Sequence, residues 1–424
     1  MVEYFRKCEE IMKQNARTFY LASLNLPIDL RKHFWSIYAY CRLVDNIADE
    51  FFIKNDRKSS ISRIYEIQDK LLSSYENKYK GNEYVFLALK DTFSLYRFDI
   101  GPFLELLKGA LWDIEGKVIE NMHDLFEYSK LVAGSVGAML IPIISDTEED
   151  IKEKAYNYGI FMQIVNILRD VGEDYKLRKR VYIPKSILNE FGIKEFQIKN
   201  EIITPNYVDM LEFLMEIAES LYHQTVGYVK YLRKEVRDAI LSAGTWYLEI
   251  LNAIRFNKYD NFKKRAYVNR VFKIISKLGG YHIRKSVLKK MNGYRYFKFY
   301  EVLDLDKGKI VEFHSDFKNA NVNLPFGKLT LKDSKIESEK IIDFKIEFGI
   351  FKISLKLYIL DFNSNELCDS FLGFFHVHRF YDGKIIEIFS YRGFIPKFLI
   401  NLFFEMRYRR LKRYAYSKYI LKGL

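Results

Sequence analysis

The chain has 424 residues, 49% of them hydrophobic and 29% charged, with a formal net charge of +13. That length exceeds what one hydrophobic core usually fills, so two domains are expected, and the composition excludes a disordered or collagenous chain. The positive sign admits a nucleic acid, an anionic membrane surface or a polyanionic small substrate as partner, and a basic surface serving solubility alone fits it equally well.

The first residues, "MVEYFRKCEEIMKQ", mix charge with apolar residues and do not make a secretory signal. Cys8, Cys41 and Cys368 lie far apart and match no metal spacing, so a reducing, cytoplasmic setting is the default. No run of about 18 apolar residues stands out, so no spanning helix is expected and membrane contact would be peripheral.

Residues 1 to about 278 read as helix after helix. Segments such as "RKHFWSIYAYCRLVDNIADEFF", "IGPFLELLKGALWDI" and "KAYNYGIFMQIVNILRDVGEDY" repeat apolar residues every three or four positions. Breaks fall at Pro27, Pro102, Pro184 and Pro205. From about 293 the pattern shortens and alternates, as in "KIIDFKIEFGIFKISLKLYIL", and Asp382-Gly383 signals a hairpin. One helix-like segment, "PKFLINLFFEMRYRRLKRYAYSKYI", closes the chain. The expected organisation is a helical domain at 1–278, a linker at 279–292 around Gly279-Gly280, and an α+β domain with an antiparallel sheet at 293–424.

Two helical segments carry the chemistry. In "QIVNILRDVGEDYKLRKRVYIP", Gln163, Asn166, Asp170 and Asp174 are spaced by three, four and four, so they share one helix face among apolar neighbours. In "YAYCRLVDNIADE", Arg42, Asp45 and Asp49 repeat that design. A buried carboxylate without a partner is very costly. One such pair is ordinarily a solvated face bonded to lysines. Two pairs, each with amide or arginine companions, point instead to two helices facing each other across a polar site. Four carboxylates in an apolar bundle suit Mg²⁺, with Mn²⁺ as a substitute, bridging them to substrate phosphates. Arg42, Arg169, Arg178 and Arg180 would grip the same phosphates, and a diphosphate leaving group fits the arrangement.

Four stretches in order, "TFYLASLNLP", "YAYCRLVDNIADE", "YSKLVAGSVG" and "QIVNILRDVGEDYKLRKRVYIP", resemble the squalene/phytoene synthase family across residues 1 to about 278. The resemblance implies an all-α isoprenoid synthase bundle and Mg²⁺-dependent head-to-head condensation of two prenyl diphosphates through a cyclopropyl intermediate. It implies metal binding by Asp45, Asp49, Asp170 and Asp174, with Gln163 and Asn166 lining the second metal site. Arg42, Tyr247 and Arg265 match diphosphate-contacting positions, Tyr128 a tyrosine near the reacting carbons, and Thr18 and Phe19 lie in the first motif as substrate contacts. Asn46 and Asn15 depart from the commonest pattern, where an aspartate and a histidine often stand. The stretch at 166–184 looks closer to the phytoene branch, which takes the C20 diphosphate without a reductant. A squalene-type enzyme using the C15 diphosphate and NADPH, or a dehydrosqualene synthase, is the alternative within the fold. A non-catalytic lipid-binding or assembly factor is the alternative outside it. A carbocation also needs a wall that excludes water, for which Phe19, Tyr38, Tyr128 and Phe161 are candidates, simple core packing being the plainer reading of each. Gly134 and Gly137 serve close approach, of helices or of substrate alike.

The closing segments are similar to START-like helix-grip domains, which implies an apolar cavity and, for this chain, a carrier for a poorly soluble C40 product. His376 and His378 lie two apart on one strand face; with no third ligand evident, a structural pair is the plainer reading. The basic, aromatic tail "RYRRLKRYAYSKYILKGL" suits an anionic membrane surface or a solvated helix face. No nucleic-acid motif accompanies the charge, so no nucleic-acid partner is expected, and the chain is expected to be a monomer or weak oligomer.

Overall fold

The computed structural model describes residues 2–24, 26–145, 151–268, 281–292, 294–302, 305–316, 319, 328–331, 335–348, 351–371, 374–381, 384–391, 400, 403–404 and 406–407. The chain divides into two compact units, Met1–Phe191 with Met210–Ser286, and Gly192–Asp209 with Val287–Leu424. The stretch 279–292, expected as a linker, contains a helix at Tyr281–Asn292. Its residues Tyr281, Arg284 and Lys285 are held by ion pairs and hydrogen bonds to the first unit, which explains why it is not a free connector.

The first unit is helical. Its long members are α3 (Ile28–Lys54), α4 (Arg57–Tyr75), α9 (Lys152–Arg178) and α13 (Lys234–Phe256), with α6 (Gly101–Ile114), α7 (Met122–Ser129) and α8 (Ser135–Ile144) packed between them. Trp35, Tyr40, Phe103 and Phe161 are among its fully buried side chains. α7 and α8 are joined by one π-helical turn, Lys130–Gly134, inside the motif "YSKLVAGSVG". Such turns widen a helix locally and recur at functional sites. The glycines of this region serve helix–helix contact: a Cβ on Gly137 would stand 2.5 Å from the Ala155 carbonyl oxygen, and one on Gly159 would stand 2.4 Å from that of Ala133. That decides between the two readings of Gly137 in favour of helix packing. Met122–Ile144 is, by length and composition, apolar enough to cross a membrane, where the sequence had suggested no such stretch; half of its most apolar window is buried in the first unit, as befits a core helix.

α9 ends where the carboxylate motif turns basic. Lys179 takes a left-handed conformation at φ 53°, and the Arg180 N–H reaches back to the Asp174 carbonyl. This turn sends Arg180 and Tyr182 back toward Asp113 at the end of α6. Elsewhere in the unit a sealed ionic network joins α12 (Pro205–Thr225), α13 and the Tyr281–Asn292 helix. Arg255, wholly buried, donates to Glu212 at 2.7 and 2.9 Å and to Glu219 at 3.0 Å. Lys285 pairs with Glu219 and Arg284 with Glu249.

The second unit carries a seven-stranded antiparallel sheet in the order β1-β7-β6-β5-β4-β3-β2. Its strands are β1 (Arg295–Val302), β2 (Lys328–Leu331), β3 (Lys340–Phe348), β4 (Phe351–Phe362), β5 (Glu366–Phe371), β6 (Phe374–Tyr381) and β7 (Lys384–Tyr391). The alternation along β3 is the cause of its one-sided burial: Ile342, Phe344 and Ile346 are buried while Asp343 and Lys345 between them are exposed. β6 and β7 pair with Tyr381 opposite Lys384, as a hairpin requires, although Asp382 and Gly383 themselves lie outside the described residues. So do Gly279, Gly280 and the basic tail beyond Arg407.

Candidate active site

Helical spacing places the two carboxylate pairs, and a single arginine joins them. Arg178, on α9, donates to Asp174 Oδ1 at 2.6 Å one turn before it and to Asp49 Oδ1 of α3 at 2.7 Å. The acidic stripes of α3 and α9 therefore confront each other across one guanidinium. One turn earlier on the α9 stripe, Arg169 grips Asp170 with two bonds, one of 2.8 Å. Arg265 comes within 3.3 Å of Asp170 and 3.0 Å of Glu173.

Burial dominates the electrostatics. It pushes Asp45 up to about 7, with the neighbouring Asp49 adding to the rise and Arg42 and Arg178 opposing it. It pushes Asp174 up to about 7 as well, against the pull of Arg178. Asp45 is exposed on α3, although protein atoms crowd its carboxyl and raise it. Among the described residues it has no ion-pair partner within 4 Å.

Beside the stripe, the Asn166 amide lies 3.4 Å from Gln163 Oε1, and it also donates to the Tyr247 phenol. Its own carbonyl oxygen Oδ1 is buried with no hydrogen-bond partner. Tyr247 rings Phe161 at 6.3 Å, and Phe161 is fully buried against Tyr158 and Tyr222, so Phe161 is core rather than exposed wall. Tyr38 is half-buried near Arg42, Asp45 and Tyr247.

A second cluster was not legible in the motifs. Asp113 is buried at the end of α6 and accepts 2.9 Å bonds from both Tyr128 and Tyr182. The two phenol rings stack at 5.2 Å. Arg180 approaches Asp113 at 3.5 Å and lies over the Tyr182 ring. Burial raises the Asp113 carboxyl, and the field of Asp113 together with burial keeps the Tyr128 phenol firmly protonated. An acid set among apolar residues at the end of the helix "FLELLKGALWDI" was the available signal for Asp113.

Three of the arginines expected to hold phosphates thus lie against carboxylates: Arg169 on Asp170, Arg178 between Asp49 and Asp174, Arg180 near Asp113. Phe19, half-buried on the short helix α2 (Arg17–Ser23), has no ring contact with the site among the described residues, and the Thr18 side chain lies outside them. Asn15 bonds back to the Ile11 carbonyl of its own helix, and Asn46 is exposed.

A model of the family described as Squalene/phytoene synthase matches residues 12–271. The chain belongs to the squalene/phytoene synthase family. Phytoene synthase 1, chloroplastic, of Arabidopsis thaliana is 32% identical over 295 residues, 68% of each chain. The chloroplastic phytoene synthase of an Oncidium hybrid cultivar is 31% identical over 282 residues, 65% of this chain and 66% of its own. The chain thus spans about two thirds of these plant relatives. It spans 88% of the 15-cis-phytoene synthase of Synechococcus elongatus, at 30% identity over 63% of its own length. Among solved structures, a dehydrosqualene synthase in complex with ligand superposes with a TM-score of 0.58 at 33% identity, over 68% of this chain and 97% of that one. A squalene synthase from Alicyclobacillus acidocaldarius, at 23% identity and a TM-score of 0.55, shares the fold. The family match ends before the antiparallel sheet begins at Arg295.

Proposed function

We propose that the chain is a Mg²⁺-dependent prenyltransferase that joins two geranylgeranyl diphosphates head to head, through prephytoene diphosphate, to phytoene. The observation that carries this is the convergence of the α3 and α9 aspartates on one cluster bridged by Arg178. Support for the C20 substrate comes from the phytoene synthases among the relatives. The donor set fits a hard cation: carboxylate oxygens of Asp45, Asp49, Asp170 and Asp174, plus the partnerless Asn166 Oδ1, all oxygen. Bound there, Mg²⁺ would neutralise the diphosphate charge that grows as the C–O bond breaks. Arg169, Arg178 and Arg265 stand within ion-pair reach of the same carboxylates, and each can exchange a carboxylate for a phosphate oxygen. Arg42, beside Asp45, adds charge on the α3 side. The Asp113 acceptor fixes the Tyr128 ring, whose face can stabilise a passing carbocation while its hydroxyl stays engaged.

Incubation of the full chain with Mg²⁺ and the C15 or C20 diphosphate, with and without NADPH, tests the proposal. Phytoene from the C20 substrate alone is expected. Dehydrosqualene from the C15 substrate would move the reading to the enzyme class of the 33% identical structure; squalene dependent on NADPH would move it to the squalene type.

We infer further that the second unit is a START-like helix-grip domain that carries a lipid. Its support is a sheet with β1 beside β7 and a short helix, Lys307–His314, between β1 and β2. The unit also includes Gly192–Asp209, where Lys194 pairs with Glu339 and Asp361 and the Ile203 carbonyl accepts from Tyr294. A fragment begun at 290 would lose those bonds, so uptake of phytoene from liposomes is to be measured on the full chain. Uptake no greater than by a control protein would remove the carrier.

A further inference from the structure

The apolar face of the second unit's sheet is crossed by a belt of polar groups. On β6 the residues of that face are Phe374, His376, His378 and Phe380; on β7 they are Ile385, Glu387, Phe389 and Tyr391. Register sets Asp369 of β5 opposite His376, and Glu387 opposite His378. Cross-strand neighbours on one face stand about 5 Å apart, so the four are brought together by strand pairing itself. One apolar cluster lies to one side, with Leu367, Phe380 and Ile385, and a second to the other, with Phe389, Tyr391 and Phe404. Alternation alone would have put apolar residues at all four places.

The geometry of the belt is that of a ligand set. One donor atom from each of Asp369, His376 and His378 lies within 4.8 Å of the other two. His378 Nε2 stands 3.5 Å from Asp369 Oδ2, about the edge of a tetrahedron with bonds of ~2.1 Å. His378 Nδ1 faces Glu387 Oε1 at 2.8 Å, and Glu387, wholly buried, is itself paired with Arg407. A carboxylate behind the outer nitrogen is how metal-bound imidazoles are oriented. His314 approaches from the Lys307–His314 helix, its ring 5.4 Å from that of His378. Its Nδ1 is bonded to the Ile310 carbonyl, which fixes the proton there and leaves Nε2 as a lone pair. His314 is 7% exposed, and its Nε2, like the Nε2 of His376, is buried with no hydrogen-bond partner. His378 Nδ1, close to Glu387 Oε1 but without a hydrogen bond, is a third such nitrogen, and three orphaned imidazole nitrogens in one interior are expensive unless something accepts them.

We propose that Asp369, His376 and His378 bind a divalent transition cation of the Zn²⁺ class, with His314 Nε2 as the fourth donor and Glu387 as the orienting carboxylate. Nitrogen-rich donors separate this centre from the all-oxygen aspartate cluster of the first unit, which suits Mg²⁺. The cation would pin β5, β6 and β7 to the Lys307–His314 helix.

The test is a titration of the full chain with Co²⁺ alone, followed by displacement with Zn²⁺. About one equivalent of Co²⁺ with the intense visible bands of a tetrahedral site is expected, bleached by Zn²⁺. Asp45→Asn/Asp170→Asn, which disables the other cluster, keeps the bands. His376→Gln and His378→Gln weaken Co²⁺ binding at least 100-fold, and Glu387→Gln weakens it by about 10- to 100-fold. Circular dichroism of each variant establishes that it is folded. No tetrahedral cobalt spectrum in the unmodified chain overturns the proposal whatever the variants do. Bands that survive both histidine substitutions, or vanish in Asp45→Asn/Asp170→Asn, overturn it too. His314→Gln is expected to shift the bands; unchanged bands would strike His314 from the ligand set.

Discussion

The first unit holds two sets of ions, and they end in opposite electrostatic states. Around Arg255 each acid has a cation: Glu212 and Glu219 on Arg255, Glu219 also on Lys285, Glu249 on Arg284. Burial raises Glu219, but Lys285, Tyr281 and Arg255 together outweigh it and hold the carboxyl below its usual range. Around Asp45 and Asp174 burial wins instead, and both acids sit at about 7. Among the described residues, Asp45 is left without an ion pair and Asn166 Oδ1 without a donor. A fully paired network holds helices together; one that leaves an acid and an amide oxygen unpaired is poised for a ligand. That contrast assigns α12 and α13 a structural network and α3 and α9 a chemical one.

The sharpest break of the contrast is Arg255→Ala. It strands Glu212 and Glu219 in the interior and should cost about 3–5 kcal/mol in urea unfolding. A loss below about 1 kcal/mol would mean that water reaches the network and that it is not sealed. Asp170→Asn or Asp45→Asn should do the converse. Turnover should fall about 10²–10³-fold in either variant; in Asp45→Asn the unfolding midpoint should hold or rise, since an acid held at about 7 loses nothing on burial when an amide replaces it. Near-normal turnover in either variant would remove the metal role assigned to these aspartates.

The two networks were not equally legible. Asp45, Asp49, Asp170 and Asp174 announced themselves because a helix turns three- and four-residue spacing into a face, so the sequence holds the geometry of each stripe locally. Arg255 could not be read that way: its partners Glu212 and Glu219 are 43 and 36 residues away, and only the packing of α12 on α13 brings them near. The helical and strand-rich halves followed from periodicity, but the place of Gly192–Asp209 in the second unit did not, since that depends on contacts far apart in sequence. His376 and His378 were visible as an i, i+2 pair. Their third neighbour, Asp369, is supplied by strand register, and His314 by a helix 62 residues before His376. Asp113 was hidden for the same reason, its tyrosines coming from α7 and from the chain beyond α9.

A smaller effect sharpens the packing side. Gly159→Ala forces a methyl to 2.4 Å from the Ala133 carbonyl oxygen, against backbone that has no rotamer to give. The expected cost is about 1–3 kcal/mol. Because Gly159 stands two turns before Asn166 on α9, a bend there should lower turnover further than the stability loss explains. A stability loss with unchanged turnover would mean that the crossing of α9 on the π-helical turn does not set the stripe.

A last break comes from pH, where the two networks predict slopes of opposite sign. Glu219, held below its usual range, binds fewer protons folded than unfolded. Its contribution is present above the unfolded value of about 4.3 and is lost as pH falls through its folded value. Asp45 and Asp174, held at about 7, bind more protons folded than unfolded. With EDTA present, their contribution is present below about 4 and is lost as pH rises from there through about 7. Unfolding free energy measured in EDTA should therefore fall across that upper window. Asp45→Asn should flatten part of the fall and leave the acid limb untouched, because the asparagine amide has no proton to lose. A fall equally steep in Asp45→Asn and Asp174→Asn would mean that these carboxyls are ionised within the fold and that the α3–α9 cluster is as well satisfied as the one around Arg255.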